Sequence, residues 1–277
     1  METGDEFSLS PPHERVLARS QGLMVDDGLI PWAALQAQFL SPAPAKSQAF
    51  SFVSLCHWHI GSGRAVMSPL PLPDFGADES HALMAAMQSF FAEDGITLVE
   101  DQPGRWLAMG EIFRDVPMAA PDRVIGRNVT DWLPKPPRAI PLLRLQNEMQ
   151  MLLHTHPVNQ ARQSRGLLAA NSFWLHGSGA LRYSDDRPSE STPPIVVNTL
   201  RDAALTENWP AWVDAWQALD ACEGASLLQK HSLGQSFQLT FCGERHAMTW
   251  VTQKRSWMQN INSHFGRKRL SSLLMQL

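Results

Sequence analysis

Pro157 constrains this chain most, because it falls between two runs of helical spacing and shortly before a strand signal closed by glycines. Leu142, Leu145, Met149, Leu152 and Leu153 recur at intervals of three and four, the buried stripe of an amphipathic helix. A proline disfavours helical geometry in the residue before it and suits the first turn of a new helix. The first helix should therefore end near His154, and its successor should carry Asn159 and Arg162 on one face. Asn171 to Leu175 then reads as a short strand running into Gly177-Ser178-Gly179. A loop of that kind lets backbone N–H groups approach an anion closely.

The rest of the chain mixes the two periodicities. Short helices are expected around Glu14–Ser20 and Pro31–Leu40, followed by a linker at Pro42-Ala43-Pro44. From Ala49 to Ile60, Phe50, Phe52, Ser54, Cys56, Trp58 and Ile60 alternate as in a strand, and Gly61-Ser62-Gly63 turns the chain into a second one. Asp78 is the expected cap of a helix built on Leu83, Met84, Met87, Phe90 and Phe91 and closed by Gly95. Ile96–Glu100 and Arg105–Met109 flank the hairpin signal Gln102-Pro103-Gly104. Further on, Ile195–Asn198 reads as a strand, Trp209–Cys222 as a helix, and Phe237–Cys242 with Ala247–Thr252 as a hairpin. Trp257–His264 and Arg269–Leu277 complete the pattern as closing helices. The expected class is mixed α/β. Residues 1–47 are expected to form a weakly ordered N-terminal segment and 48–277 a single domain, divided into parts at 75–182 and 183–277.

Apolar residues make up 44% of the 277 positions and charged ones 18%, enough for a sizeable core. The net charge is −4, and only Arg267-Lys268-Arg269 is locally basic, which argues against nucleic-acid binding. Cys56, Cys222 and Cys242 share no short spacing, so neither a disulfide framework nor a cysteine zinc site is indicated, and Cys222 and Cys242 read as buried small hydrophobes. The polar, acidic start is unlike a signal peptide, and no apolar run is long enough to span a membrane, so the expected location is cytoplasmic.

The chemistry-bearing candidates are His156, Asn159, Arg162, Asn171 and the Gly177-Ser178-Gly179 turn. Together they offer an imidazole, two amides, a guanidinium and a glycine loop, a cradle for a small phosphorylated or carboxylate ligand, since arginine grips such groups bidentately. The plainer reading makes Arg162 a surface charge, Asn159 a cap and the glycines a strand exit. His57-x-His59 and His154-x-His156 each supply two zinc ligands where three or four are needed. Asp185, Asp186 and Glu190 sit in a polar loop and read as solvent-exposed. Trp209, Trp212 and Trp216 share one helix face, which suits core packing or a protein partner's surface over 209–222.

The run His156-Pro157-Val158-Asn159, Arg162, Gly166, Ala170-Asn171, Trp174 and Gly177-Ser178-Gly179 resembles a motif of the archaeal-type, 2,3-bisphosphoglycerate-independent phosphoglycerate mutases. Ile125-Gly126-Arg127-Asn128-Val129 and Trp132-Leu133-Pro134 extend the resemblance over 120–182, and Gly95-Ile96 with Arg105-Trp106-Leu107 matches more loosely upstream. The chain also resembles a bacterial group of RpfE-type regulators of pathogenicity factors, through Leu145-Gln146-Asn147-Glu148-Met149 and Asn171-Ser172-Phe173-Trp174-Leu175.

The mutase resemblance implies an alkaline-phosphatase-type fold in which two divalent metals activate a serine. Such a centre needs clustered Asp and His ligands to clamp the transferring phosphoryl group. Here Asp27-Gly28 follows no convincing apolar strand, Cys242-Gly243-Glu244-Arg245-His246 lacks an Asp-His pair, and Ala120-Pro121-Asp122-Arg123 stands where the family has Pro-Pro-His-Asp. The expectation is a mutase-related protein without the metal centre or a cofactor, binding a small anion in a regulatory role. Two alternatives stay open: an active mutase or phosphatase with a rearranged site, and a structural or protein-interaction module.

Overall fold

A computed structural model of the chain describes residues 3–24, 26–40, 42–43, 45, 47–181 and 194–252. The chain divides into two compact units, Gln21–Ser191 and one built from both ends, Met1–Ser20 with Thr192–Leu277. The first helix, α1 (Pro12–Ser20), belongs to the terminal unit, whereas α2 (Trp32–Ala37) packs in the central one.

The central unit is a four-stranded antiparallel sheet with helices on both faces. In chain order its elements are β1 (Ala49–Cys56), β2 (Trp58–Gly61), β3 (Arg64–Met67), α3 (Ala77–Glu93), β4 (Thr97–Gln102) and β5 (Arg105–Met109). They continue with α4 (Pro121–Val124), α5 (Ile140–Thr155), α6 (Pro157–Ser164) and β6 (Ser172–Ala180). The sheet order is β4-β5-β1-β6, with Phe52 opposite Leu107 on β5 and Val53 opposite Leu175 on β6.

The single strand expected over Ala49–Ile60 breaks at His57: β1 is the buried centre of the main sheet, and β2 pairs instead with β3 in a separate hairpin. Alternation cannot report this break, because it continues in phase on both sides. Successive side chains of β1 point to opposite layers. Val53 and Leu55 join Leu83, Met87, Phe91, Leu145 and Met149 of α3 and α5 in the main core. Phe50 and Phe52 face Ala33, Ala34 and Ala37 of α2. Three small residues on one turn-and-a-half of helix let α2 lie close to the sheet, which explains why residues ahead of 47 are part of the fold.

Helix α3 starts earlier than expected. Its cap is Gly76, whose N–H donates to the Glu79 carboxylate at 3.3 Å, so Asp78 lies inside the first turn. Gly95, at φ 71°, ends it, and the next N–H, of Ile96, bonds back to the Phe91 carbonyl. The buried stripe of α5 is Leu142, Leu145, Gln146, Met149 and Leu153, with Leu152 only partly covered.

The terminal unit continues with α7 (Arg201–Leu205), α8 (Trp209–Leu219), a π turn at Asp220–Gly224, α9 (Ala225–Ser232) and the hairpin β7 (Gln238–Cys242) and β8 (Ala247–Val251). Ile195–Asn198 is not a strand: Ile195 is 84% exposed, and among the described residues no strand lies beside these β-branched side chains to pair with them. Cys222 and Cys242 are exposed, contrary to expectation, whereas Cys56 is buried. The helices expected at Trp257–His264 and Arg269–Leu277, and the residues Asp185, Asp186 and Glu190, lie outside the described residues. Among those described, no helix is long and apolar enough to cross a membrane.

Candidate functional site

The motif around Pro157 folds as its spacing predicts, and every one of its polar side chains is then used by the protein itself. His156 ends α5 and starts α6, its Nδ1 accepting the Val158 N–H at 3.2 Å. Burial lowers its pKa.

Asn159, 2% exposed, is a clip between three segments. Its Nδ2 donates to the Leu153 and Ala170 carbonyls at 2.8 Å each, and its Oδ1 accepts the Ala170 N–H at 2.8 Å. The side chain thereby ties the end of α5 to the start of β6 and leaves no polar atom for a ligand.

Arg162 is fully buried at 0% exposure. Its Nε donates to the Leu168 carbonyl at 2.8 Å, and its terminal nitrogens to the Asp74 and Pro73 carbonyls at 3.0 and 2.8 Å and to Glu79 Oε2 at 2.6 Å. The plane lies over the Phe75 ring. Glu79 also receives Arg165 and the Gly76 N–H. Burial alone would raise its pKa, but those donors outweigh it and hold the carboxylate below its usual value. Arg162 is therefore the anchor of the Pro73–Phe75 loop and the start of α3, not a surface charge and not a free anion hook.

Asn171 pairs with main chain as a strand residue would. Its Oδ1 accepts the Trp58 N–H at 2.7 Å and its Nδ2 donates to the Trp58 carbonyl at 2.9 Å. It spans the gap left where β1 gives way to β2. Beside it, His57 Nδ1 hydrogen-bonds to the Ala169 carbonyl at 2.8 Å. That leaves one ring nitrogen, and His59 stands edge-on to the same ring at 4.6 Å. Burial is the first cause lowering the His57 pKa.

Gly177-Ser178-Gly179 lies within β6, not in a loop after it. The register slips between Phe50 and Phe52, so Gly177 and Ser178 together oppose Ser51, a β-bulge. Ser178 Oγ donates to Ser51 Oγ at 2.8 Å inside it. Gly177 has φ +61°, and a Cβ there would stand 3.0 Å from Trp32 Cβ and 3.2 Å from the Phe52 ring. The glycines thus make room for α2. They meet the α2 layer, whereas Asn159 and Arg162 belong with α3 and α5, so the proposed cradle does not converge.

One polar cluster was not singled out from sequence. Ser54 Oγ hydrogen-bonds to His176 Nε2 at 2.9 Å, the imidazole packs on Phe52, and the Arg105 guanidinium lies over the Phe52 ring at 4.5 Å. Asp101 holds Arg105 Nε at 2.7 Å and accepts Gln36 Nε2 at 3.1 Å. Burial, helped by Arg105 and opposed by Asp122, pushes the His176 pKa down to about 3. So weak a base cannot activate a serine near neutral pH, and the pair is a structural hydrogen bond. Its only sequence signal is that Ser54 and His176 each interrupt an apolar strand.

A cleft lined by Met118, Leu133, Leu142, Gln146 and Trp174 encloses about 10 Å³, room for one water. Among the described residues no group of three or more His, Cys, Asp or Glu side chains is placed to hold a metal ion.

Comparison with known proteins finds partial sequence matches to one class. Over 138 residues the chain is 27% identical to the 2,3-bisphosphoglycerate-independent phosphoglycerate mutase of Methanothrix thermoacetophila, a match covering 50% of this chain and 32% of that protein. A probable 2,3-bisphosphoglycerate-independent phosphoglycerate mutase of Geobacter sulfurreducens is 27% identical over 121 residues, covering 42% and 30%. The chain therefore has partial homology to these mutases and spans about a third of the length of the curated relatives it matches. Among solved structures, the cofactor-independent phosphoglycerate mutase of Thermoplasma acidophilum is 15% identical, with a TM-score of 0.42 and coverage of 55% of this chain and 41% of that one. No family model matches.

Proposed function

We propose that this chain is a phosphoglycerate-mutase-related protein that works by contact with a protein partner and not by phosphoryl transfer. The observation that carries the reading is Arg162: the guanidinium best suited to a phosphate is fully buried, with its bonds spent on three carbonyls and Glu79. Asn159 and Asn171 are committed in the same way, so the motif serves as a folding device. This favours the interaction-module alternative over a ligand-binding relic and over a rearranged mutase. A regulatory role, as in the RpfE-type group the sequence resembles, is the matching biological reading. The surface offered to a partner is the Trp-rich helix α8, where Trp209 is 59% exposed.

The test is thermal denaturation of the chain with 3-phosphoglycerate, inorganic phosphate or simple carboxylates, with and without Mn²⁺, alongside a mutase assay. A ligand at a hundred times its Kd would add about 2.7 kcal/mol to stability, an easily read shift. The expected result is no shift and no turnover. Stabilisation by 3-phosphoglycerate, or metal-dependent turnover, would overturn the proposal.

A further inference from the structure

Two histidines at the β2–β3 hairpin take no part in the core or in the proposed partner contact, and they are placed as a chelate would be. His57 stands at the break between β1 and β2, and His59 lies within β2, opposite Val66 of β3. Residues two apart on an extended chain point to the same face. The two imidazoles do so here, with ring centroids 4.6 Å apart and planes at 71°. A metal ion about 2.1 Å from one nitrogen of each ring, with those nitrogens at about 90–110° to each other, sets the centroids about 4.6–5.3 Å apart. The observed spacing lies at the square-planar end of that range.

The His57 ring is also oriented as a ligand. Its Nδ1 is held to the Ala169 carbonyl at 2.8 Å, so that nitrogen carries the proton and Nε2 keeps its lone pair. Metal-binding histidines are commonly anchored in this way, because the bond fixes both the tautomer and the direction of the ring. Burial lowers the His57 pKa against the opposing Ala169 bond, and a charge on His59 lowers it further. The neutral ring is the ligating form.

Ser68 is a second, independent sign. Its N–H donates to the His57 carbonyl at 2.9 Å, which continues the β2–β3 register and puts its side chain on the His57 face. Ser68 is 3% exposed, and its Oγ is shut off from solvent with no hydrogen-bond partner among the described residues. A buried hydroxyl of that kind calls for a partner, and water held by an ion at the two imidazoles supplies one. Arg64, exposed and opposite Gly61, is the next charge along the same face and weakens the hold on a cation.

We propose that His57 and His59 bind one late first-row divalent cation, of the zinc, nickel and copper(II) class, through a nitrogen of each ring, with water in the remaining positions. Imidazole suits these ions, whereas magnesium and manganese prefer oxygen ligands. Two protein ligands make an exchangeable site, unlike the closed four-ligand kind that holds a fold together. The site is separate from the partner-contact reading above, and the two stand or fall independently.

The test is titration of the full chain, made without a polyhistidine tag, with zinc followed by calorimetry and with copper(II) followed by electron paramagnetic resonance. The expected result is one ion per chain, zinc and copper competing for it, and a copper signal coupled to two imidazole nitrogens. His59→Gln, at an exposed position, should weaken zinc binding at least about ten-fold, the lower bound for losing even a supporting contact, and leave one imidazole on copper. Its circular dichroism should match wild type, which separates a lost ligand from a lost fold. His154→Gln breaks the other His-x-His pair and should change neither readout, and Arg64→Glu should tighten zinc binding several-fold. Binding unchanged in His59→Gln would mark an adventitious ion on other histidines and overturn the proposal. Absence of binding at millimolar zinc, or a single imidazole on copper in the wild-type chain, would overturn it equally.

Discussion

Arg162→Ala distinguishes a folding device from a ligand site, because the two roles lose different things. The wild-type guanidinium serves the Leu168, Asp74 and Pro73 carbonyls and Glu79 from a position with no solvent exposure. Removing one member of a buried ion pair costs about 3–5 kcal/mol, and each buried acceptor left without a donor adds to that. Glu79 moderates the loss, since its side chain is 18% exposed and keeps Arg165. About 4 kcal/mol is the resulting expectation. For a unit of this size each kcal/mol moves the melting temperature by roughly 2–4 °C, so the shift should be about 8–16 °C. Arg162→Lys keeps the charge but not the planar fork, and should recover about half of the loss. Arg165→Ala, which removes the exposed partner of the same carboxylate, should cost under about 1 kcal/mol. Thermal and urea unfolding followed by circular dichroism reads all three. A melting temperature for Arg162→Ala within about 2 °C of wild type would refute the reasoning and return Arg162 to the list of ligand-facing residues.

Three further outcomes follow from the same geometry. Asn159→Asp replaces two donors to buried carbonyls with a carboxylate, and should cost about 2–4 kcal/mol in urea unfolding, with faster exchange of the Ala170 amide. Gly177→Ala should cost about 2–3 kcal/mol from positive φ and the clash with Trp32 and Phe52, whereas Gly166→Ala, at φ +73° in open space, should cost only about 1 kcal/mol. His176 has its pKa lowered to about 3 by burial, so below about pH 6.5 the unfolded chain binds the proton that the folded chain refuses. Stability should therefore fall as pH drops from about 6.5 towards 3, by up to about 2 kcal/mol at pH 5, and His176→Gln should flatten that slope in urea titrations.

Local structure was legible wherever one periodicity or one breaker acted alone. The α5–Pro157–α6 junction, the Gly95 stop and the β4–β5 hairpin all follow from spacing and turn chemistry. What spacing could not supply was the third dimension. The alternation through His57 is continuous, yet the chain changes sheets there because Asn171 takes over the pairing. Ala33, Ala34 and Ala37 look like a weak helix until a bulged strand with two glycines offers a surface flat enough to receive them. Ile195–Asn198 shows the converse, β propensity with no strand to pair with among the described residues.

The candidate site turns on a related point. Residue type and spacing named the side chains that matter, and all of Asn159, Arg162, Asn171, Gly177, Ser178 and Gly179 do hold special positions. But a guanidinium that can bind a phosphate can equally bind three carbonyls and a carboxylate, and a glycine that admits an anion equally admits a helix. The two uses differ only in what lies opposite, which depends on chain remote in sequence: Pro73 and Asp74 for Arg162, Trp32 for Gly177. Partial homology to a phosphate-handling enzyme is therefore compatible with a motif kept for folding. The deciding quantity is solvent access of the donors, and for Arg162 that access is nil.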